Sequence, residues 1–335
     1  MRRVSAYYYE DNFIEKDCAM RSFIFPGQGS QYIGMGKELS ETFVEAREVF
    51  AEIDDSLNQK LFKLMTEGNE DELNLTQNTQ PALMAVSVAV ARVIRKQSGL
   101  STSDMCDFVA GHSLGEYSAL TAAGALDIDV TAKLLKLRGE AMQRAVPVGV
   151  GSMAAILGLD MDGVQDIARA ATEKSGGDFS CQVANDNSVG QVVVSGHKQA
   201  VAVAMELAVE KGARKTVELQ VSAPFHCSLM APAAQEMAQV LADANIRPPF
   251  VPIVTNVMAE ATSEPSDIRR LLVDQITGTV RWNESVRWMK EQGVGEMVEM
   301  GAGKVLTGLA RRIDKEISCQ SIEKPEQIEA FLTSL

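Results

Sequence analysis

Apolar residues fall along this chain in two rhythms. Continuous apolar runs at residues 22–25, 108–110, 251–255 and 296–300 read as buried strands. Between them, helical spacing marks segments at about 38–52, 55–65, 81–94, 129–145, 228–245, 284–292 and 304–314, with a further helix leading into Asp274-Gln275-Ile276. Strands alternating with helices in this way predict a parallel sheet covered on both faces. The most apolar helix, residues 81–94, follows a Gln-rich turn at residues 76–80, holds Ser87 and Arg92, and is shorter than a bilayer span. Thr79 is its expected cap, with Pro81 in the first turn. The rhythm changes after residue 147 to strand (152–159), helix (161–174), strand (179–184), strand (191–195), helix (199–211) and strand (214–221). That βαββαβ order is a ferredoxin-like unit. Asn185-Asp186-Asn187-Ser188, between its middle strands, reads by composition as a turn.

One turn in this pattern can carry chemistry. An apolar run, Phe108-Val109-Ala110, stops at Gly111-His112-Ser113-Leu114-Gly115, and a helical pattern follows at once. A serine between two glycines, after a strand and before a helix, is the nucleophile-elbow pattern. The expected fold is therefore α/β. A large α/β-hydrolase-like domain of residues 20–147 and 222–335 is interrupted by a ferredoxin-like subdomain of residues 148–221. Residues 1–19 are polar and aromatic, hold Tyr7-Tyr8-Tyr9-Glu10-Asp11, and lack a signal-peptide core. They are expected to be a disordered extension before the first strand.

A serine hydroxyl needs a base to become a useful nucleophile. Of the three histidines, His112 adjoins Ser113, so its ring should point elsewhere, and His197 sits between a strand and a helix of the inserted unit. His226, just after a Pro-Phe turn on the carboxyl side of the main sheet, is the base by elimination. Arg138 falls at helical spacing from Leu134, Leu135, Ala141 and Met142, which puts a guanidinium on an apolar face. Two readings stay open for it: a snorkelling or salt-bridged side chain, and a clamp for a substrate carboxylate. The loop Pro26-Gly27-Gln28-Gly29-Ser30-Gln31 lacks the Lys-Ser/Thr of a phosphate-binding loop and reads instead as free N–H groups beside the serine.

Composition narrows the partners. With 32 basic and 45 acidic residues the formal charge is −13, which disfavours nucleic acid and anionic membranes and requires a local basic patch for any acidic partner. Cys18, Cys106, Cys181, Cys227 and Cys319 are scattered without a C-x-x-C pair, as in a reduced, cytoplasmic chain, and no histidines stand at metal-ligand spacing.

Taken together, Phe25-Pro26-Gly27-Gln28-Gly29-Ser30-Gln31, Gln80-Pro81-Ala82, Gly111-His112-Ser113-Leu114-Gly115-Glu116-Tyr117-Ser118-Ala119-Leu120, Arg138, His226 and Gly303-Lys304-Val305-Leu306 carry a resemblance. From about Met20 onward the chain resembles the malonyl-CoA:acyl carrier protein transacylases of bacterial fatty acid synthesis. The resemblance implies ping-pong acyl transfer, with Ser113 attacking the malonyl-CoA thioester, His226 as base and Arg138 on the malonyl carboxylate. It assigns the oxyanion hole to the backbone N–H groups of Gln28 and Leu114, and the orienting of His226 to a backbone carbonyl at Gln275. Of the asparagine pair Asn185 and Asn187, Asn187 takes a minor supporting role. Phe225, bulky before the histidine, would disfavour a methyl-branched acyl group, and Arg311 with Arg312 would offer a basic patch to the acidic carrier. No permanently bound cofactor and no metal are implied. Malonyl-CoA is the implied substrate, acyl carrier protein and CoA the partners, and a cytoplasmic monomer without nucleic-acid or membrane contacts the expected form. Gly301-Ala302-Gly303 departs from the family's Gly-Pro-Gly. Two rival readings remain: a hydrolase built on the same elbow, which leaves Arg138 without a task, and a non-catalytic module that binds a carrier protein.

Overall fold

The computed structural model describes residues 20–335, and the expected extension at residues 1–19 lies outside them. In chain order the strands among the described residues are β1 (Met20–Phe25), β2 (Phe108–Gly111), β3 (Gly151–Leu157), β4 (Cys181–Ser188), β5 (Gln191–His197), β6 (Lys215–Glu218), β7 (Ile253–Val254), β8 (Ala261–Thr262), β9 (Val294–Met300) and β10 (Ser318–Ile322). They form a six-stranded sheet in the order β10-β9-β1-β2-β7-β8 and a four-stranded sheet in the order β4-β5-β3-β6.

The large sheet is parallel from β10 to β7, with Phe25 of β1 opposite Gly111 of β2. Its edge strand β8 runs antiparallel to β7, because the connection between them is too short for a crossover. The sheet is thus parallel-rich rather than wholly parallel. Strand periodicity covers both faces: Phe23, Phe25 and Val109 enter one core with the helix Thr76–Ser98, while Ile24 and Ala110 enter another with Trp282, Val286 and Leu306. Among the described residues no helix is long and apolar enough to cross a membrane.

In the small sheet β3 lies antiparallel to both β5 and β6, the strand order of a ferredoxin-like unit. Ala154 and Ile156 pack with Val164, Ile167 and Ala204 from the helices Met161–Lys174 and Lys198–Glu210, whereas Met153 and Ala155, on the other face, join the main core. β4 meets the segment between the helices Pro265–Thr277 and Trp282–Glu291 through an isolated bridge, Asn185 opposite Val280, with Asp186 N–H donating to Val280 O and Val280 N–H to Ala184 O. Residues 185–188 are therefore strand, not the turn their composition suggests. The chain reverses instead at Val189-Gly190, where Gly190 has φ 71°.

Several other boundaries move. The buried helix starts at Thr76, so the Gln-rich stretch is its first turns and Pro81 lies inside it. Thr79 does not cap it, since its hydroxyl donates back to Leu73 O. β10 and the helix Pro325–Ser334 extend the fold beyond the last strand visible in the sequence. The helix Ile128–Ala145 approaches Thr76–Ser98 closely because Gly139 lacks a side chain: a Cβ there would stand 2.5 Å from Gln77 Cα. This close crossing brings Arg138 to Gln80.

The elbow is equally tight. A Cβ on Gly111 would lie 1.9 Å from the Gly115 carbonyl carbon, and one on Gly115 would lie 2.2 Å from Phe25 O. Both glycines of the G-x-S-x-G pattern are thus fixed by close approach of backbone. Gly111→Ala should cost about 3 kcal/mol or more in urea unfolding. Gly308→Ala, within the helix Val305–Ile313 where an added Cβ meets nothing within 4 Å, should instead gain up to about 1 kcal/mol.

Candidate active site

Ser113 stands between the end of β2 and the helix Gly115–Ala122 with φ 52°, a left-handed conformation that is uncommon for a residue with a side chain. Two flanking groups hold it there. Asn256 Oδ1 accepts the Ser113 N–H at 2.7 Å, and Asn256 Nδ2 donates to Gly111 O at 2.6 Å, so one amide staples both sides of the turn. Gln275 Nε2 donates to Ser113 O at 3.0 Å.

The Ser113 hydroxyl lies 2.9 Å from His226 Nε2. The other ring nitrogen, Nδ1, is 2.8 Å from Gln275 O, an acceptor only, so Nδ1 carries the proton and Nε2 is left to accept from the serine. That carbonyl is free for a structural reason. Gln275 is in the last turn of the helix Pro265–Thr277, whose final carbonyls have no partner further along the helix. The negative end of the helix also favours positive charge on the ring. Burial, and then the Arg138 charge, hold His226 down at about 3, so the ring is a neutral base at physiological pH. Like Ser113, His226 is left-handed, with φ 58°.

Arg138 is 1% exposed. Its Nη1 donates to Gln80 Oε1 at 2.8 Å, and its Nη2 donates to Gln275 Oε1 at 2.8 Å and faces Ser113 Oγ at 3.2 Å. The guanidinium stands 5.8 Å from the Tyr117 ring centre, and Nε has no partner among the described residues. Its burial excludes a snorkelling side chain, and it makes no ion pair among those residues, so neither the snorkelling nor the salt-bridged reading fits. The pocket thus holds a buried cation with no anion against it among the described residues.

Ser113, His226 and Arg138 line one cavity of about 310 Å³ together with Gln28, Leu114, Gln80, Phe225, Met153, Asn185 and His112. No acceptor among the described residues takes the N–H of Gln28 or of Leu114. Phe225 is 8% exposed on the wall beside His226. Asn187 Oδ1 accepts from His112 Nε2 at 2.8 Å, so it contacts the residue that precedes Ser113. The His112 ring turns from Ser113 toward Asn187 and Trp282, as its sequence position requires, yet still lines the cavity. Arg311 and Arg312 are exposed and lie apart from the cavity lining; Arg311 donates to Cys319 O and Arg312 to Gly308 O. A larger cavity of about 610 Å³, lined by Arg92, Arg95 and Phe250 among others, contains none of these groups.

Three contributors have no role in the sequence reading. Asn256 follows a two-residue strand and carries no signal. Gln80 appears in a recognisable Gln-Pro-Ala stretch, but its bond to Arg138 depends on the Gly139 crossing. Glu116 is the one charged residue on a largely buried helix, and that mismatch is the available signal.

Residues 22–322 match the acyl transferase domain family. The chain is 44% identical over 314 residues to the malonyl CoA-acyl carrier protein transacylase of Bacillus subtilis, covering 94% of this chain and 96% of that one. Against the Escherichia coli K12 protein of the same name the identity is 43% over 311 residues, with 93% and 98% covered. Among solved structures, an acyl-carrier-protein-S-malonyltransferase from Bartonella henselae superposes with a TM-score of 0.91 at 52% identity, over 94% of this chain and 99% of that one. A structure described as a type II PKS acyl-carrier protein in complex with its malonyl-transacylase matches with a TM-score of 0.90 at 40% identity, over 95% and 100%.

The neutral, Nδ1-protonated state of His226 is directly observable. Imidazole ¹⁵N shifts should show it unprotonated at about pH 5.5, well below the usual histidine range. Because its folded value lies below its unfolded one, the associated stability is full above about 6.5 and is lost as pH falls from there toward 3. An imidazolium signal at about pH 5.5 in the folded protein would contradict this.

Proposed function

The chain belongs to the acyl transferase family, among the malonyl CoA-acyl carrier protein transacylases, and from that premise we propose that Ser113, His226 and Arg138 carry malonyl transfer from coenzyme A to acyl carrier protein. Ser113 Oγ attacks the thioester carbonyl while His226 Nε2 takes its proton. The oxyanion is received by the N–H groups of Gln28 and Leu114, each such donor being worth about 3 kcal/mol of barrier. Collapse breaks the C–S bond, and His226 gives its proton to the departing thiolate of coenzyme A. The carrier's phosphopantetheine thiol repeats the sequence in reverse, with His226 as base, and Ser113 is regenerated. A thioester is an activated acyl donor, so a carbonyl can serve where a hydrolase places a carboxylate behind its histidine.

The observation that carries the reading is the guanidinium 3.2 Å from the nucleophile with no anion against it. A malonyl group presents a carboxylate one methylene beyond the carbon under attack, which suits a clamp at that distance. Phe225 narrows the wall on which a methyl branch would sit. The asparagine Asn187 acts on this site through His112. Arg311 and Arg312 form the basic patch for the acidic carrier, in a chain whose net charge of −13 otherwise repels it. Residues 148–221 make up a ferredoxin-like domain inserted between the two halves of the catalytic domain, a division supported by its separate sheet and core.

Intact-protein mass after incubation with malonyl-CoA should show an acyl adduct that a carrier thiol discharges faster than water, and Ser113→Ala should abolish it. Arg138→Ala should reduce malonyl loading roughly 10- to 100-fold, the value of a charge-assisted hydrogen bond, while improving acetyl loading relative to malonyl. Equal loss of both acyl groups would make the arginine structural.

A further inference from the structure

Glu116 is a carboxyl group, 1% exposed, on the second residue of the helix Gly115–Ala122, and the transfer chemistry gives it no task. Its Oε2 accepts from Gln275 Nε2 at 2.7 Å and from the Asn256 N–H at 3.2 Å. The same Gln275 amide accepts from Arg138 Nη2 at 2.8 Å. Carboxylate, amide and guanidinium thus form one chain, with the amide dipole aligned between a negative and a positive end. Above about pH 7, where the Glu116 carboxyl is ionised, the two buried groups carry opposite charges that balance although they never touch.

Arrival of a malonyl carboxylate changes that balance. The pocket would then hold two negative groups and one positive one, shielded from water, and like charges in a dry site cannot both persist. The substrate carboxylate meets the guanidinium directly, whereas Glu116 is one amide removed. We propose that Glu116 is the counter-charge of Arg138 in the unloaded pocket, acting through the Gln275 amide, and that it takes up one proton from solvent when a malonyl carboxylate pairs with Arg138. Glu116 is in this sense a positioning residue that ties selection of an acidic acyl group to pH. The inference rests on the reading of Arg138 as the carboxylate clamp.

The surroundings suit this exchange. Burial raises the Glu116 carboxyl to about 7, against the lowering effects of Gln275, Asn256 and Arg138. Tyr117 on the same helix, pushed up to about 12 mainly by burial, stays neutral. Arg138 faces it from the helix Ile128–Ala145, while the helix Pro265–Thr277 and the segment after β7 contribute only the amides of Gln275 and Asn256. His226 and His112 are both held neutral by burial and compete for no proton here.

The test compares malonyl-CoA with acetyl-CoA, because both use Ser113 and His226 and only one brings a carboxylate. The malonyl-to-acetyl loading ratio should fall by up to about tenfold per pH unit above about pH 7 in the native enzyme. In Glu116→Gln, whose Oε1 can accept the same two N–H groups without charge, the ratio should be flat with pH. An indicator dye in weak buffer should show proton uptake on malonyl loading beyond that on acetyl loading. This measurement on the native enzyme decides the matter even if Glu116→Gln fails to fold. Equal pH slopes in the two enzymes, or equal proton balance for the two acyl groups, would overturn the role of Glu116 while leaving malonyl transfer intact. No loading of Ser113 by malonyl-CoA at all would overturn the transfer reading and this inference with it.

Discussion

The site depends on what one residue does with two different parts of itself. Gln275 uses its main-chain carbonyl to orient the His226 ring and its side-chain amide to join Arg138, Glu116 and the Ser113 carbonyl. Every polar atom of that amide is engaged, and the residue is fully buried. In a low-dielectric interior such a network is stabilising only when complete, since each unmet donor or acceptor costs about 1–3 kcal/mol. Ser113, His226 and Arg138 therefore keep their relative positions through a common anchor, although they come from elements far apart in the chain.

That anchor also offsets strain. Ser113 and His226 both occupy left-handed backbone, at φ 52° and 58°, and such conformations cost on the order of 1–3 kcal/mol each. Asn256 and Gln275 hold the serine by hydrogen bonds on both sides of its peptide, and the orphan carbonyl at a helix end holds the histidine. The distortion aims the hydroxyl toward Nε2, so the serine and the imidazole are already at hydrogen-bond distance in the protein alone.

Legibility in the sequence follows the range of the interactions involved. The elbow was readable because its requirements are local: a glycine on each side of a serine, between strand and helix, with each glycine fixed by backbone contact. Arg138 was readable from periodicity as inward-facing, but its partners Gln80 and Gln275 lie 58 and 137 residues away and no spacing rule reaches them. The stretch 185–188 was misread because Asn and Asp favour turns in isolation, whereas here the Val280 bridge and the Asn187–His112 bond hold it extended. β10 is not legible in the sequence because Cys-Gln-Ser carries little apolar signal, and it forms as the parallel neighbour of β9. β8, two residues long, has no periodicity to read.

The small sheet contributes Met153 and Asn185 to the cavity, and Leu219 and Val221 follow β6 along the same wall, while Ser113, His226 and Arg138 all belong to the large half of the molecule. The part of the wall that the inserted unit supplies is thus a separate mutational territory from Ser113, His226 and Arg138. Drift in side-chain volume along the inserted face can reshape the room for an acyl chain without disturbing the anchored trio beneath it. A fold divided in this way is well placed to diversify among thioester substrates while keeping one reaction.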